Sequence, residues 1–138
     1  MKIYRVEMPG SGAGPYSPCD HDDFIFEMKV EQELDQMYRD HKHDTFDHPT
    51  PFSTGEMPGA WDAYDEWDFR CGFMSQEQLV EWFGPWMHKL DELGFLMSTY
   101  EAPAPHYLVG QHQMIFDKPY ATLVAQNVMP LHRMEVAA

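Results

Sequence analysis

Tyr4, Val6 and Met8 alternate with Ile3, Arg5 and Glu7 at the head of the chain, a period of two that predicts a strand over Lys2–Met8. The period then lengthens. Phe26, Val30, Leu34, Met37 and Tyr38 recur at helical spacing between about Asp23 and His41, with acids on the remaining faces. Asp22 or Asp23 supplies the helix cap. Phe69–Met74 is a short apolar run that fits a buried strand, and Ser75-Gln76-Glu77-Gln78 after it is a capping box. Leu79, Trp82, Trp86, Leu90 and Leu93 form the stripe of a second helix, which Gly94 stops and Gly84-Pro85 kinks or splits. Three further strands follow: Phe95–Glu101, Tyr107–Phe116 with Gly110 as a bulge or turn, and Ala121–Ala125.

Between these elements lie two segments without a period. Pro9 to Tyr16 is a turn-rich loop with glycines at 10, 12 and 14. It lacks the following helix and the Lys of a P-loop, so it is a weak phosphate cradle. Lys42 to Glu66 carries Pro49, Pro51, Gly55, Pro58 and Gly59 and reads as a long acidic loop: a functional loop, a flap or a mobile region. The order of elements predicts an α+β domain spanning 1–138, with two main helices packed on a mostly antiparallel sheet. It is not the regular alternation of a doubly wound fold.

Composition bounds the function. Aromatics make up 14 % of the 138 residues, which is ample core material and excludes global disorder. No run approaches the roughly 18 apolar residues of a membrane span. Glu7 and Pro9 interrupt the place where a secretory signal carries its apolar stretch, so a cytoplasmic protein is expected. Cys19 and Cys71 form no CxxC pair and read as idle thiols. The charge is lopsided. Fifteen acidic residues face three basic ones between Asp20 and Asp68, so twelve of the fourteen excess negative charges fall there. Such a field excludes direct binding to nucleic-acid phosphate and favours a partner with a basic surface.

Two stretches could carry chemistry or contacts. His41, His43 and His48 lie among Asp40, Asp44 and Asp47, with Cys19 to Asp23 upstream. Those are metal-ligand types, but the spacing matches no known zinc pattern and the bland reading is a solvated polar loop. Asp62, Asp65, Glu66 and Asp68 interleave with Trp61, Tyr64 and Trp67. That stretch is either a partly buried aromatic face or, with Asp44 and Asp47, a patch anchored by Trp61 and Trp67 for docking a protein. No GxSxG marks a nucleophilic serine.

Tyr4-Arg5, the Gly12-Ala13-Gly14-Pro15-Tyr16 turn, Arg70 to Ser75 at a strand end and Gln111-His112-Gln113 late in the chain together resemble the layout of the ADP-ribosyltransferase superfamily. The resemblance implies that Arg5 contacts the pyrophosphate of NAD, that Ser75 orients the ribose, and that Tyr16 or Phe73 stacks on nicotinamide. Arg5, Ser75 and Gln113 then form the catalytic set. Where that family ends its motif in Glu, this chain has Gln113, which bears no charge, and Glu101 is the nearest substitute. The YRVE opening, the GPY turn, His48-Pro49-Thr50-Pro51 and the late Gln-x-Gln-x-x-Phe also look like small phage and prophage proteins.

Three functions are therefore expected in competition. The first is an acidic phage-type accessory protein that binds and inhibits a host nucleic-acid-binding protein or defence complex as a nucleic-acid mimic, without cofactor. The second is an NAD-dependent ADP-ribosyltransferase acting on a host macromolecule. The third and weakest is a metal-dependent hydrolase using the His/Asp loop.

Overall fold

The structure, a computed structural model, describes residues 1–16 and 24–131. The cap expected at Asp22 or Asp23 and the Cys19 to Asp23 run lie outside them. The fold is α+β. In chain order the elements are β1 (Lys2–Glu7), α1 (Phe24–His43), α2 (Ala60–Glu66), β2 (Phe69–Gly72), α3 (Gln76–Phe83), α4 (Met87–Glu92), β3 (Leu96–Glu101), β4 (Tyr107–Val109), β5 (Met114–Asp117) and β6 (Thr122–Asn127).

The strands form two antiparallel three-stranded sheets, ordered β1-β3-β6 and β2-β5-β4. One bridge joins them at a seam: the amides of Tyr4 and Phe73 each donate to the other's carbonyl at 2.8 Å. Gly72 makes that approach possible. A Cβ there would sit 2.5 Å from Ile3 Cγ2 and 3.1 Å from the Tyr4 carbonyl oxygen.

Both faces of β1 are buried, which the alternation alone did not predict. Val6 packs into the main core with Val30, Leu34 and Met37 of α1 and with Leu79, Met87 and Leu90 of the later helices. Ile3, on the other face, joins Tyr100, Met114 and Phe116. Ile115 on β5 faces a third cluster with Ala60 and Ala63 of α2 and Met57 just before it. Burial of this apolar surface is the main drive for helices as short as α2 and α4, since isolated helices under about 12 residues are marginal in water.

Three expectations are refined. The run expected as one strand over Tyr107–Phe116 is a hairpin, β4 and β5, turning at Gly110 to Gln113. Gly110 fits there because a Cβ would lie 2.6 Å from Glu56 Oε1. The second helix is split at Gly84-Pro85 into α3 and α4, with a 3-10 turn between them and Gly84 at φ +48°. The stretch from 42 to 66 is not irregular throughout, because α1 runs to His43 and Ala60–Glu66 forms α2. Two small residues, Ala60 and Ala63, let that short helix sit against Ile115.

Candidate functional site

A cavity of about 390 Å³ opens where the end of α1, α3 and the seam of the two sheets meet. The 3.6-residue period that buries Val30, Leu34 and Met37 continues one step to His41, so this histidine turns inward and is only 8 % exposed. His48, Pro49, Thr50 and Pro51 close one side, and Trp82 and Phe83 of α3 another. Arg5, Cys71 and Phe73 come from the seam, and Pro15 with Tyr16 from the glycine-rich loop. Gln113, in the turn before β5, and Val6, Tyr38 and Lys42 also line it.

The polar groups of this cavity form a directed chain. The indole Nε1–H of Trp82, which can only donate, points to Tyr16 Oη at 2.9 Å. The Tyr16 hydroxyl hydrogen is therefore free to be given to His41 Nδ1, with which Oη makes a short hydrogen bond. That assigns the His41 proton to Nε2, an assignment drawn from the network. Nε2–H has no hydrogen-bond partner among the described residues. The His41 and His48 rings stack with centroids 3.8 Å apart. His48 Nε2–H donates to the Trp82 carbonyl at 2.6 Å, and its Nδ1 faces Asp44 Oδ2 at 3.3 Å.

Electrostatics fit the same arrangement. Desolvation and then the neighbouring His48 lower the His41 pKa to about 4, against the opposing pull of Asp40 and Asp44, so His41 is neutral at pH 7. Desolvation of the hydroxyl raises the Tyr16 phenol although part of its ring is open to solvent. Burial also pushes the Cys71 thiol up, partly offset by Arg5 and Arg70, which keeps it protonated and a poor nucleophile.

Arg5 is held from within. Its Nε donates to Glu7 Oε2 at 2.9 Å, Nη1 to the Cys71 carbonyl at 2.9 Å and Nη2 to the Gly12 carbonyl at 3.2 Å. Glu7, 1 % exposed, also accepts from the Tyr100 hydroxyl at 2.6 Å. The glycine-rich loop thus closes over a guanidinium with its carbonyl, and a Cβ at Gly14 would come within 3.0 Å of Arg5 Nη2. Gln113 Nε2 donates to the Pro49 carbonyl at 2.6 Å, leaving its Oε1 without a described partner.

Of the residues nominated from the sequence, Arg5, Tyr16, Phe73 and Gln113 line one cavity. Ser75 is not among its lining residues: its hydroxyl accepts from the Gln78 amide at 3.1 Å and caps α3. Gln78 Oε1 reaches back to the Met74 amide at 3.0 Å, the other half of the box. Glu101 is exposed at the end of β3, opposite Lys2. Trp82 was read only as part of a helix stripe, His41 was named only in the His/Asp cluster as a metal-ligand type, and Cys71 only as an idle thiol. For His41 a signal existed, because position 41 extends the 30/34/37 stripe. Among the described residues no three His, Cys, Asp or Glu side chains gather as a metal-holding group.

The acidic and aromatic stretch forms a second, separate feature. Trp61 is 65 % and Tyr64 52 % exposed on α2, and the rings of Phe52 and Trp61 lie 4.6 Å apart. Asp62, Asp65 and Glu66 are exposed beside them with no ion-pair partner among the described residues. Trp67 instead packs against the cluster under α2, and Asp68 pairs with Arg70 at 2.6 Å. Asp47 is exposed, while Asp44 is engaged by the Asp47 amide at 3.2 Å and by His48.

Comparison with known proteins places the chain in one lineage. No curated protein and no solved structure matches it. No helix among the described residues is long and apolar enough to cross a membrane. A family model described as bacteriophage T4 Y00F protein matches residues 1–130, and the chain belongs to that family.

Proposed function

We propose that this phage protein is an accessory factor of the host cytoplasm that acts by binding. It docks on the basic surface of a host nucleic-acid-binding protein or defence complex and blocks it. The observation that carries this reading is the α2 face, where an exposed Trp61 packed against Phe52 is flanked by the carboxylates of Asp62, Asp65 and Glu66, which have no ion-pair partner among the described residues. A large exposed aromatic is the residue type that anchors interfaces, and rim carboxylates steer a cationic partner. Asp47 and the net charge of −14 extend the same field.

The test is capture of host proteins on the immobilised chain, followed by elution with salt and, separately, with random-sequence duplex DNA. The reading expects a nucleic-acid-binding protein released by both. Partners that ignore salt and DNA would contradict it.

A second reading, an NAD-dependent ADP-ribosyltransferase, is favoured by the convergence of Arg5, Tyr16, Phe73 and Gln113 in one cavity. It has less support, because three of the Arg5 nitrogens already donate within the protein and, among the described residues, no carboxylate lines the cavity to stabilise an oxocarbenium centre. Incubation with labelled NAD and host lysate tests it: label on a host macromolecule supports transfer, and absence of both label and NAD binding removes it.

A further inference from the structure

We infer that the cavity beside α1 is a binding site for an uncharged planar heterocycle of nucleobase or nucleoside type, recognised by the Nε2–H of His41. The inference is independent of the α2 face.

Shape and lining come first. A volume of about 390 Å³ lies within the range of small-ligand sites and suits one nucleoside. Its walls are flat: Tyr16, Phe73, Trp82 and Phe83 supply rings, and Pro15 and Pro49 supply rigid apolar plates. Flat walls of this kind favour a stacked aromatic over a branched aliphatic ligand.

Hydrogen bonding adds the specificity. A buried donor without a partner keeps its full desolvation penalty, so natural proteins rarely leave one in place. His41 is only 8 % exposed, and its Nε2–H is such a group among the described residues. With the Tyr16 hydroxyl donating to His41 Nδ1, the direction the Trp82–Tyr16–His41 chain favours, this nitrogen is a donor and not an acceptor. Gln113 Oε1 is an acceptor in the same lining, with its amide nitrogen tied to Pro49. A heterocycle that carries both an acceptor and an N–H matches this pair.

Charge excludes the phosphorylated forms. Arg5 is neutralised by Glu7 at 2.9 Å, and His41 is neutral at pH 7. Among the described residues Lys42 and His48, whose ring faces Asp44, are the other basic side chains in the lining, set in a chain of net charge −14. A phosphate would enter a site that offers it little and a field that repels it.

Calorimetric titration of the full chain with adenosine, guanosine and uridine tests this, with AMP, NAD and indole as comparisons. At least one nucleoside is expected to bind in the micromolar to sub-millimolar range. Its monophosphate and NAD should bind about tenfold or more weaker, and indole, which lacks an acceptor for His41, likewise. His41→Phe keeps a ring and removes the donor, so affinity should fall about tenfold. Tyr16→Phe, which frees the tautomer, should weaken binding several-fold and serves as the reading if His41→Phe fails to fold by circular dichroism. Three results overturn the inference: no nucleoside binds, AMP or NAD binds more tightly than the nucleoside, or both variants bind it as well as the native chain.

Discussion

Arg5 and Glu7, two residues apart on one face of β1, form a buried ion pair at 2.9 Å that also ties down the glycine-rich loop and β2. Breaking one half of such a pair leaves a charge stranded in the core, at a cost of about 3–5 kcal/mol. Glu7→Gln keeps an acceptor for Tyr100 and leaves Arg5 unpaired, so a drop of that size is expected in urea unfolding. Joined with Arg5→Leu, the loss should be clearly smaller than the sum of the two single changes.

The seam between the sheets depends on the missing side chain of Gly72. In Gly72→Ala the new methyl would meet Ile3 and the Tyr4 carbonyl, and β1 and β2 must part. A loss of about 1–3 kcal/mol is expected. Faster amide exchange at Tyr4 and Phe73, which bond to each other across the seam, would place the damage there.

Ser75 acts through the backbone of α3. Ser75→Ala removes the acceptor for the Gln78 amide and should cost about 1 kcal/mol in thermal or urea unfolding. Any ligand of the cavity should bind this variant as it binds the native chain. A large loss of ligand affinity with little loss of stability would return Ser75 to the site.

How far the sequence reveals this protein differs from element to element. The α1 stripe was legible at Val30, Leu34 and Met37 because one helix face buries them all. Ser75 was legible as a cap because capping is local. The β4–β5 hairpin was legible only in part: Gly110 was marked as a bulge or turn, but the turn is set by Glu56, which accepts from His112 across the fold. Arg5, Tyr16, Phe73 and Gln113 were each named, grouped by the resemblance to the ADP-ribosyltransferase layout. Their chemistry was not legible, because the partners of Arg5 include Cys71, 66 residues away.

Acid should weaken the fold through His41. Its folded pKa of about 4 lies below the ordinary 6.5, so on acidification the unfolded chain binds a proton that the folded chain refuses. Stability is therefore expected to fall from pH 6.5 toward pH 4 and this contribution to level off below. Urea midpoints at steps across that window check it, with His41→Phe expected to show a shallower decline. An equal decline in both chains would assign the effect elsewhere.

The α2 face is tested most directly by the affinity of a captured host partner for the native chain, for Trp61→Ala and for the triple change Asp62→Asn, Asp65→Asn, Glu66→Gln, each over a salt series. Trp61→Ala should weaken binding about 30-fold, the size of an interface anchor. The triple change should lower affinity at low salt and flatten its dependence on salt. Equal affinity and equal salt dependence for all three chains would contradict the account.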